Sequence, residues 1–309
     1  MTDIDLFVDY LVQQWSEEPA PVHDALPPTP NGIVDTAALP AACAYRPWHW
    51  YEISRHRCWK TWKEGGPATC SLRLPVPSRD EMWWCNSLRE AAEHYSWWSP
   101  AATGDFASLS SRLLQAMNTG NIHAAAQSCH LIFDWGGVGR TAANVSRQWV
   151  GAQEAAGSLV ASLQTGVQAL LPSSSVAAVQ VAFGGPLPMN SATTKLYAAA
   201  DPSGCGLIFD GRVGAALCLL VREHLRRRAT TVVPPDLEFF WGPAQNDLKS
   251  RNPSRGPYRF RNINSVSNVV RAQASRRANV LAEAFGKRTG VDARTFETAL
   301  FMIGYRVWP

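Results

Sequence analysis

S-A-T-T-K-L-Y-A-A-A-D-P-S-G-C-G-L-I-F-D-G-R-V-G-A-A-L-C-L-L, residues Ser191 to Leu220, carries two helix signatures with one carboxylate between them. The first helix, over 190–200, ends at Asp201-Pro202, because proline cannot continue the hydrogen-bond ladder. A glycine-containing turn leads through Leu207, Ile208 and Phe209 to Asp210. A second helix, rich in Ala and Leu, then runs over 211–228. Asp210 follows three apolar residues and stands at a helix N-terminus. That placement half-desolvates the carboxylate while the helix dipole keeps it ionised. Such an anion is what a positive, sugar-like transition state requires. Aspartate is equally a favoured N-cap without chemistry. Lys195 stands 15 residues earlier and can face the same cleft.

Outward from this segment, the chain reads as mostly α. Thr2 can cap a helix over 3–15 that places Ile4, Phe7, Leu11 and Trp15 on one face. Asp105 can cap another carrying Phe106, Leu109, Leu113 and Met117. Further helices are predicted over 122–133, along Leu159, Leu163, Val167 and Leu170, and over 292–303. A long helix over 262–285 places Val266, Val269, Ala274, Ala278, Leu281 and Phe285 on a buried stripe, flanked by Arg271, Arg276 and Arg277. Val176 to Phe183 reads as a strand or a buried helical turn, broken by Gly184-Gly185-Pro186. Prolines interrupt residues 18–40, which read as a linker. Eight of the 13 tryptophans fall between Trp48 and Trp98, where minor β structure is expected. The chain thus divides into a region 1–104, with the N-terminal helix, linker and Trp-rich stretch, and a helical region 105–309.

Composition bounds the class. Of 309 residues, 46% are apolar and 17% charged, enough for a sizeable core. No run of about 18 apolar residues is present, so no membrane span is expected. The acidic start, Met1-Thr-Asp-Ile-Asp, is unlike a secretory signal. Seven cysteines without a C-x-x-C pair suggest free thiols in a cytoplasmic protein. His49, His56, Cys58 and Cys70 lack zinc spacing. Neither a phosphate loop nor a G-x-S-x-G elbow occurs. No metal or organic cofactor is expected.

The net charge of +4 conceals a split. Residues 1–200 hold 12 Lys and Arg against 16 Asp and Glu; residues 201–309 hold 17 against 9, and 15 of the 17 are Arg. Arginine's planar fork suits phosphate, so this excess is the footprint of a polyanion partner. The loop from Lys249 to Asn262 concentrates it. Arg251, Arg255, Arg259 and Arg261 can pair phosphates, while Tyr258 and Phe260 can stack on bases. Double-stranded DNA is the expected partner, bound by a monomer.

Two stretches carry a resemblance. Trp135-Gly-Gly-Val-Gly-Arg-Thr-Ala-Ala-Asn-Val145 is spelled like the hairpin of base-excision DNA glycosylases, P-G-V-G-R-K-T-A-N-V. It has Thr141 where some of those enzymes have Lys, and Leu159 and Val160 where an Asp would follow, so it reads as a helix-connecting turn. The pattern K-L, D-P, then I-x-D-x-R-V-x-x-A-L around Lys195 and Asp210 resembles bacterial relatives of 8-oxoguanine DNA glycosylases, in the helix-hairpin-helix superfamily. The resemblance implies a helix-hairpin-helix glycosylase-like domain with a Trp-rich N-terminal extension. It implies Asp210 as the catalytic carboxylate, followed by Arg212-Val213, and Lys195 as the amine of bifunctional members. The spacing from Lys195 to Asp210 departs from the family's and lacks its glycine hairpin, so the monofunctional route is expected. DNA would be gripped by Arg212 and the Lys249–Asn262 loop. A flipped base would be held by Trp135, Trp97 and Trp98 and excised to leave an abasic site. The expected substrate is a modified base, either glucosylated hydroxymethylcytosine of phage DNA or an oxidised purine. The process would be anti-phage defence or base-excision repair. The alternative is a non-catalytic nucleic-acid-binding protein of a defence or restriction system, which needs neither Asp210 nor Lys195.

Overall fold

The structure, a computed structural model, describes residues 2–15, 51–52, 84–85, 87–93, 95, 97, 103–141, 143–243, 251–304 and 307. Among these the chain is mostly helical. Helix α1 (Asp3–Trp15) comes first, then an antiparallel pair β1 (Tyr51–Glu52) and β2 (Trp84–Cys85). There follow α2 (Leu88–Glu93), α3 (Phe106–Asn118), α4 (Ile122–Trp135), α5 (Val145–Ala155), α6 (Leu159–Leu170), α7 (Val176–Phe183) and α8 (Thr193–Ala199). The chain ends with α9 (Gly211–Arg227), α10 (Asn268–Thr289) and α11 (Ala293–Ile303). Most of residues 18–100, including His49, His56, Cys58, Cys70 and Trp98, lie outside the described residues.

Local chemistry explains the boundaries. Thr2 and Asp5 cap α1 reciprocally: Thr2 Oγ1 accepts from Asp5 N–H at 3.1 Å and Asp5 Oδ2 from Thr2 N–H at 2.9 Å. Asp105 accepts from Ser108 N–H, starting α3 where the sequence places it. Val176–Phe183 is a helix, not a strand, because Ser175 accepts from Ala178 N–H, a bond that nucleates a helical turn. The long helix predicted from 262 begins only at Asn268. Residues 263–265 form a 3-10 turn, Val266 is extended, and Ser267 supplies the cap. Gly290, at φ 73°, ends it in the left-handed region that suits glycine.

Two apolar cores form. The first gathers α1, α2, α9, α11, most of the buried face of α10, and Leu237, Phe239, Phe240 and Ile263. The second gathers α3 to α8 and takes Ala272 from α10. The expected boundary at residue 104 does not separate the cores: Phe7, Leu11, Trp15 and Leu88 pack with the C-terminal helices. The segment 207–209 runs along the seam: Leu207 and Phe209 enter the first core and Ile208 the second. Asp210 emerges at the end of this seam. Among the described residues no helix is long and apolar enough to cross a membrane.

Candidate active site

Asp210 is the N-cap of α9. Its Oδ1 accepts from Arg212 N–H at 2.8 Å and Val213 N–H at 3.1 Å. Both bonds fall on one oxygen, and among the described residues Oδ2 accepts none. The carboxylate is half-buried. It therefore serves the helix with one oxygen and presents the other. The first turn of α9 is held close against the 239–242 segment: a Cβ on Gly211 would stand 2.7 Å from Gly242 Cα, and Gly242 N–H donates to Gly211 O at 3.1 Å. Only glycine permits that approach.

Lys195 lies in the first turn of α8, 8% exposed, with its Nζ donating to Ser191 O at 2.5 Å. Its aliphatic stem lies on Gly136, at the end of α4; a Cβ there would come 2.5 Å from Lys195 Cδ and 2.6 Å from Cε. Burial pushes the Lys195 amine below its ordinary range. Asp210 is the strongest of the charges favouring its ammonium, followed by Glu297, while Arg212 and Arg294 oppose it. The two candidate residues, from separate helices, thus share one electrostatic neighbourhood.

The other charges complete the site. Glu297, 2% exposed on α11, accepts from Ile208 N–H at 2.8 Å, and Arg294 donates to its other oxygen. Burial holds its carboxyl above the usual range, with Arg294 opposing. The Arg212 guanidinium stands 4.3 Å over the Phe301 ring and 5.8 Å from the Trp97 ring. Arg294 stands 4.4 Å over Phe106 and 5.5 Å from Trp135.

The aromatic residues are placed beside this group but are spent on one another. Trp135 is 7% exposed and packs 4.9 Å from Phe106; Trp97 meets it edge-on at 6.3 Å and donates its Nε1–H to Trp135 O at 2.7 Å. The open faces expected for a base sandwich are absent at Trp135, because the ring belongs to the second core.

The basic loop divides. Tyr258 and Phe260, expected to stack on bases, are each 8% exposed in the first core, and so cannot. Arg255 and Tyr258 close a tight turn through their backbones. Pro253 O accepts from Arg222 Nη1 at 2.8 Å, which seats Arg251 to Arg255 by the C-terminal half of α9. At 1.5 Å per residue that level is about 18 Å from Asp210 along the helix. Arg261 returns toward the other end: Trp241 N–H donates to Arg261 O, and Gly242 touches Gly211. Its guanidinium pairs with Glu238 at 2.8 Å. Arg255, Arg259 and Arg261 are exposed, and Arg251 half-buried. Asp210, Lys195 and Arg212 are therefore brought together, while Arg255 is remote from them.

Glu297, Arg294, Thr194 and Gly136 were not singled out by the sequence. Glu297 had a signal: an acid beside the apolar positions Phe296, Leu300 and Ile303, with Arg294 three residues before it. Among the described residues no group of three His, Cys, Asp or Glu is gathered to hold a metal. Comparison of the chain with protein-family models, curated proteins and solved structures returns no match.

Proposed function

We propose that this protein is a DNA glycosylase that excises a modified base and leaves an abasic site. The observation that carries the reading is that Lys195 and Asp210, on separate helices at the seam between two cores, are electrostatic neighbours joined through the Phe209 N–H to Thr194 Oγ1 bond of 2.9 Å. Helix α7 and the connecting residues 184–192 precede α8, whose first turn carries Lys195, an order compatible with a helix-hairpin-helix element. The exposed arginines on residues 255–261 supply a cationic surface for a polyanion.

The target nucleotide leaves the stack, because its glycosidic bond is out of reach inside a duplex. Oδ2 of Asp210 faces the sugar, and its negative charge stabilises the oxocarbenium character that develops as the base departs. Two nucleophiles can complete the step. Water aligned by Asp210 gives hydrolysis alone. Lys195 instead attacks C1′ as a neutral amine, losing a proton on bonding, and the ring-opened sugar becomes a Schiff base that permits strand nicking. The lowered basicity of the buried Lys195 suits the amine route, and the spacing from Lys195 to Asp210 suits the water route. The substrate is a modified base of phage DNA, such as glucosylated hydroxymethylcytosine, or an oxidised purine, and the process defence or repair accordingly.

The test incubates the protein with phage DNA bearing glucosylated hydroxymethylcytosine, with oxidised-purine duplexes and with unmodified DNA, and counts abasic sites. Excision from a modified DNA, abolished by Asp210→Asn with binding retained, supports the reading. A borohydride adduct through Lys195 identifies the amine route; excision without adduct returns the reaction to water. Binding with no abasic sites on any DNA overturns it and leaves a non-catalytic nucleic-acid-binding protein.

A further inference from the structure

Residues 207–209 are buried and belong to neither helix nor strand, and their N–H groups bond to side chains. Leu207 N–H donates to Asn279 Oδ1 on α10 at 2.9 Å. Ile208 N–H donates to Glu297 Oε2 on α11 at 2.8 Å. Phe209 N–H donates to Thr194 Oγ1 on α8 at 2.9 Å. Three successive donors are thus met by three helices. The accepting side chains are almost fully enclosed, at 3%, 2% and 1% exposure respectively. Each is itself anchored or rigid: Asn279 Nδ2 donates to Leu170 O at 2.9 Å, and Arg294 holds the other oxygen of Glu297. Thr194 is β-branched, with few χ1 choices.

A buried N–H left unbonded is costly, so some acceptor is obligatory. Side chains are the unusual solution, and its geometric consequence is specific. A strand partner would tie the segment to one element. Here the chain leading to Asp210 is pinned to α8, α10 and α11 at once, across both cores. The pin on α8 is the residue next to Lys195. The pin on α11 is a carboxylate in the electrostatic neighbourhood of both Lys195 and Asp210.

We infer that Thr194 and Glu297 are positioning residues for the Lys195–Asp210 pair. Thr194 sets the register between the two functional groups through Phe209, and Glu297 holds the segment through Ile208. The inference rests on the reading of that pair as the reacting centre.

The test pairs an activity readout with one that needs no activity. In single-turnover excision, Thr194→Val removes the acceptor while keeping the branch. The rate per folded molecule falls about 10- to 100-fold, the scale of sub-ångström misalignment, with half-saturating DNA unchanged. Thr194→Ser returns it to about threefold of the parent. Loss of folded protein with an unchanged rate in the folded fraction would assign Thr194 a merely structural role and overturn its part.

The second readout is pH-resolved acylation of Lys195, followed by mass spectrometry on the full chain. Glu297→Gln keeps an acceptor for Ile208 but removes a charge. The charged groups facing Lys195 are Asp210, Glu297, Arg212 and Arg294. Removing one of the two carboxylates lowers the labelling midpoint, by about half a pH unit or more. An unmoved midpoint overturns the part of Glu297 even if the parent excises bases. A shifted midpoint in a parent that excises nothing sinks the glycosylase reading and leaves the positioning intact.

Discussion

Gly136→Ala isolates the placement of Lys195 from the stability of the fold. The added Cβ would lie 2.5 Å from Lys195 Cδ and 2.6 Å from Cε, where ordinary contact begins near 3.4 Å. The lysine stem must retreat by about 0.9 Å. The closest colliding atoms belong to a flexible side chain, and the helix carbonyl Ile132 O, 3.3 Å from the same Cβ, need give only by a few tenths of an ångström. Gly136 sits at φ −74°, ψ 1°, a conformation open to alanine. Replacing glycine at such a position stabilises by about 0.4–1 kcal/mol through the unfolded chain. An off-rotamer lysine costs about 0.5–1.5 kcal/mol. These nearly cancel, so Tm should stay within about 3 °C of the parent. Activity should not be spared. A displacement near 1 Å at a nucleophile costs on the order of 100-fold in rate. The assay is the initial rate of borohydride trapping on saturating modified DNA, with Tm measured on the same preparation. Trapping within threefold of the parent would refute the view that Gly136 sets the amine. A Tm loss above about 10 °C, set against the 2–4 °C per kcal/mol expected at this size, would show the glycine to be structural instead.

His224 on α9 is 4% exposed, lies 5.4 Å from the rings of both Phe7 and Tyr10, and has its basicity pushed down to about 4, chiefly by burial. A depressed pKa contributes stability that is present above pH 6.5 and lost as pH falls through about 4, worth roughly 3 kcal/mol at most. Thermal unfolding across that window should show an acid limb, and His224→Phe should flatten it. Tyr258→Ala should lower stability by about 3–5 kcal/mol, as for other large buried aromatics, and leave the DNA affinity of folded protein unchanged; denaturant unfolding with binding at low temperature separates the two. Arg255→Gln with Arg259→Gln should reduce the slope of log affinity against log salt by about 2, near 0.9 for each phosphate no longer neutralised. An unchanged slope would place the DNA elsewhere.

Helices were legible wherever an apolar stripe met a capping residue, as at Asp105, Asp210 and Asp292. They were less legible where apolar residues also face solvent. The sequence Val176–Phe183, which exposes Val176 and Val181, is apolar enough for either strand or helix, and the cap from Ser175 decides it. Helix α5 buries only Ser146 and Val150, so its stripe is weak. The aromatic loop misled for a different reason. Charge and aromaticity alternate along Tyr258-Arg-Phe-Arg261, which suits nucleic acid, but the same alternation also suits a segment with one face in the core. Of the candidate site, Asp210 was legible as a helix cap, which it is, whereas Lys195 was named from its distance to Asp210 and from the resemblance. Thr194, Asn279 and Glu297 were not, because their task is to meet backbone donors from residues up to 89 positions away. Pairing at that range leaves no local pattern.

The seam itself argues for a purpose beyond stability. Lys195, Asp210, Arg212, Arg294 and Glu297 influence one another electrostatically where two apolar cores abut. Replacing buried ion groups by apolar side chains is often neutral or stabilising, so a fold selected for stability alone would fill this seam with leucine or phenylalanine. The chain instead keeps a lysine whose ammonium is disfavoured by its burial, and surrounds it with two carboxylates and two guanidinium groups. Pairing explains Arg294 and Glu297, which satisfy one another and Ile208. Capping explains one oxygen of Asp210. Neither explains Lys195, whose amine, among the described residues, reaches only a carbonyl of its own preceding turn, nor the second oxygen of Asp210. The groups that structure leaves unexplained are a buried amine and one carboxylate oxygen, and clusters of perturbed ionisable groups of this kind are where function concentrates.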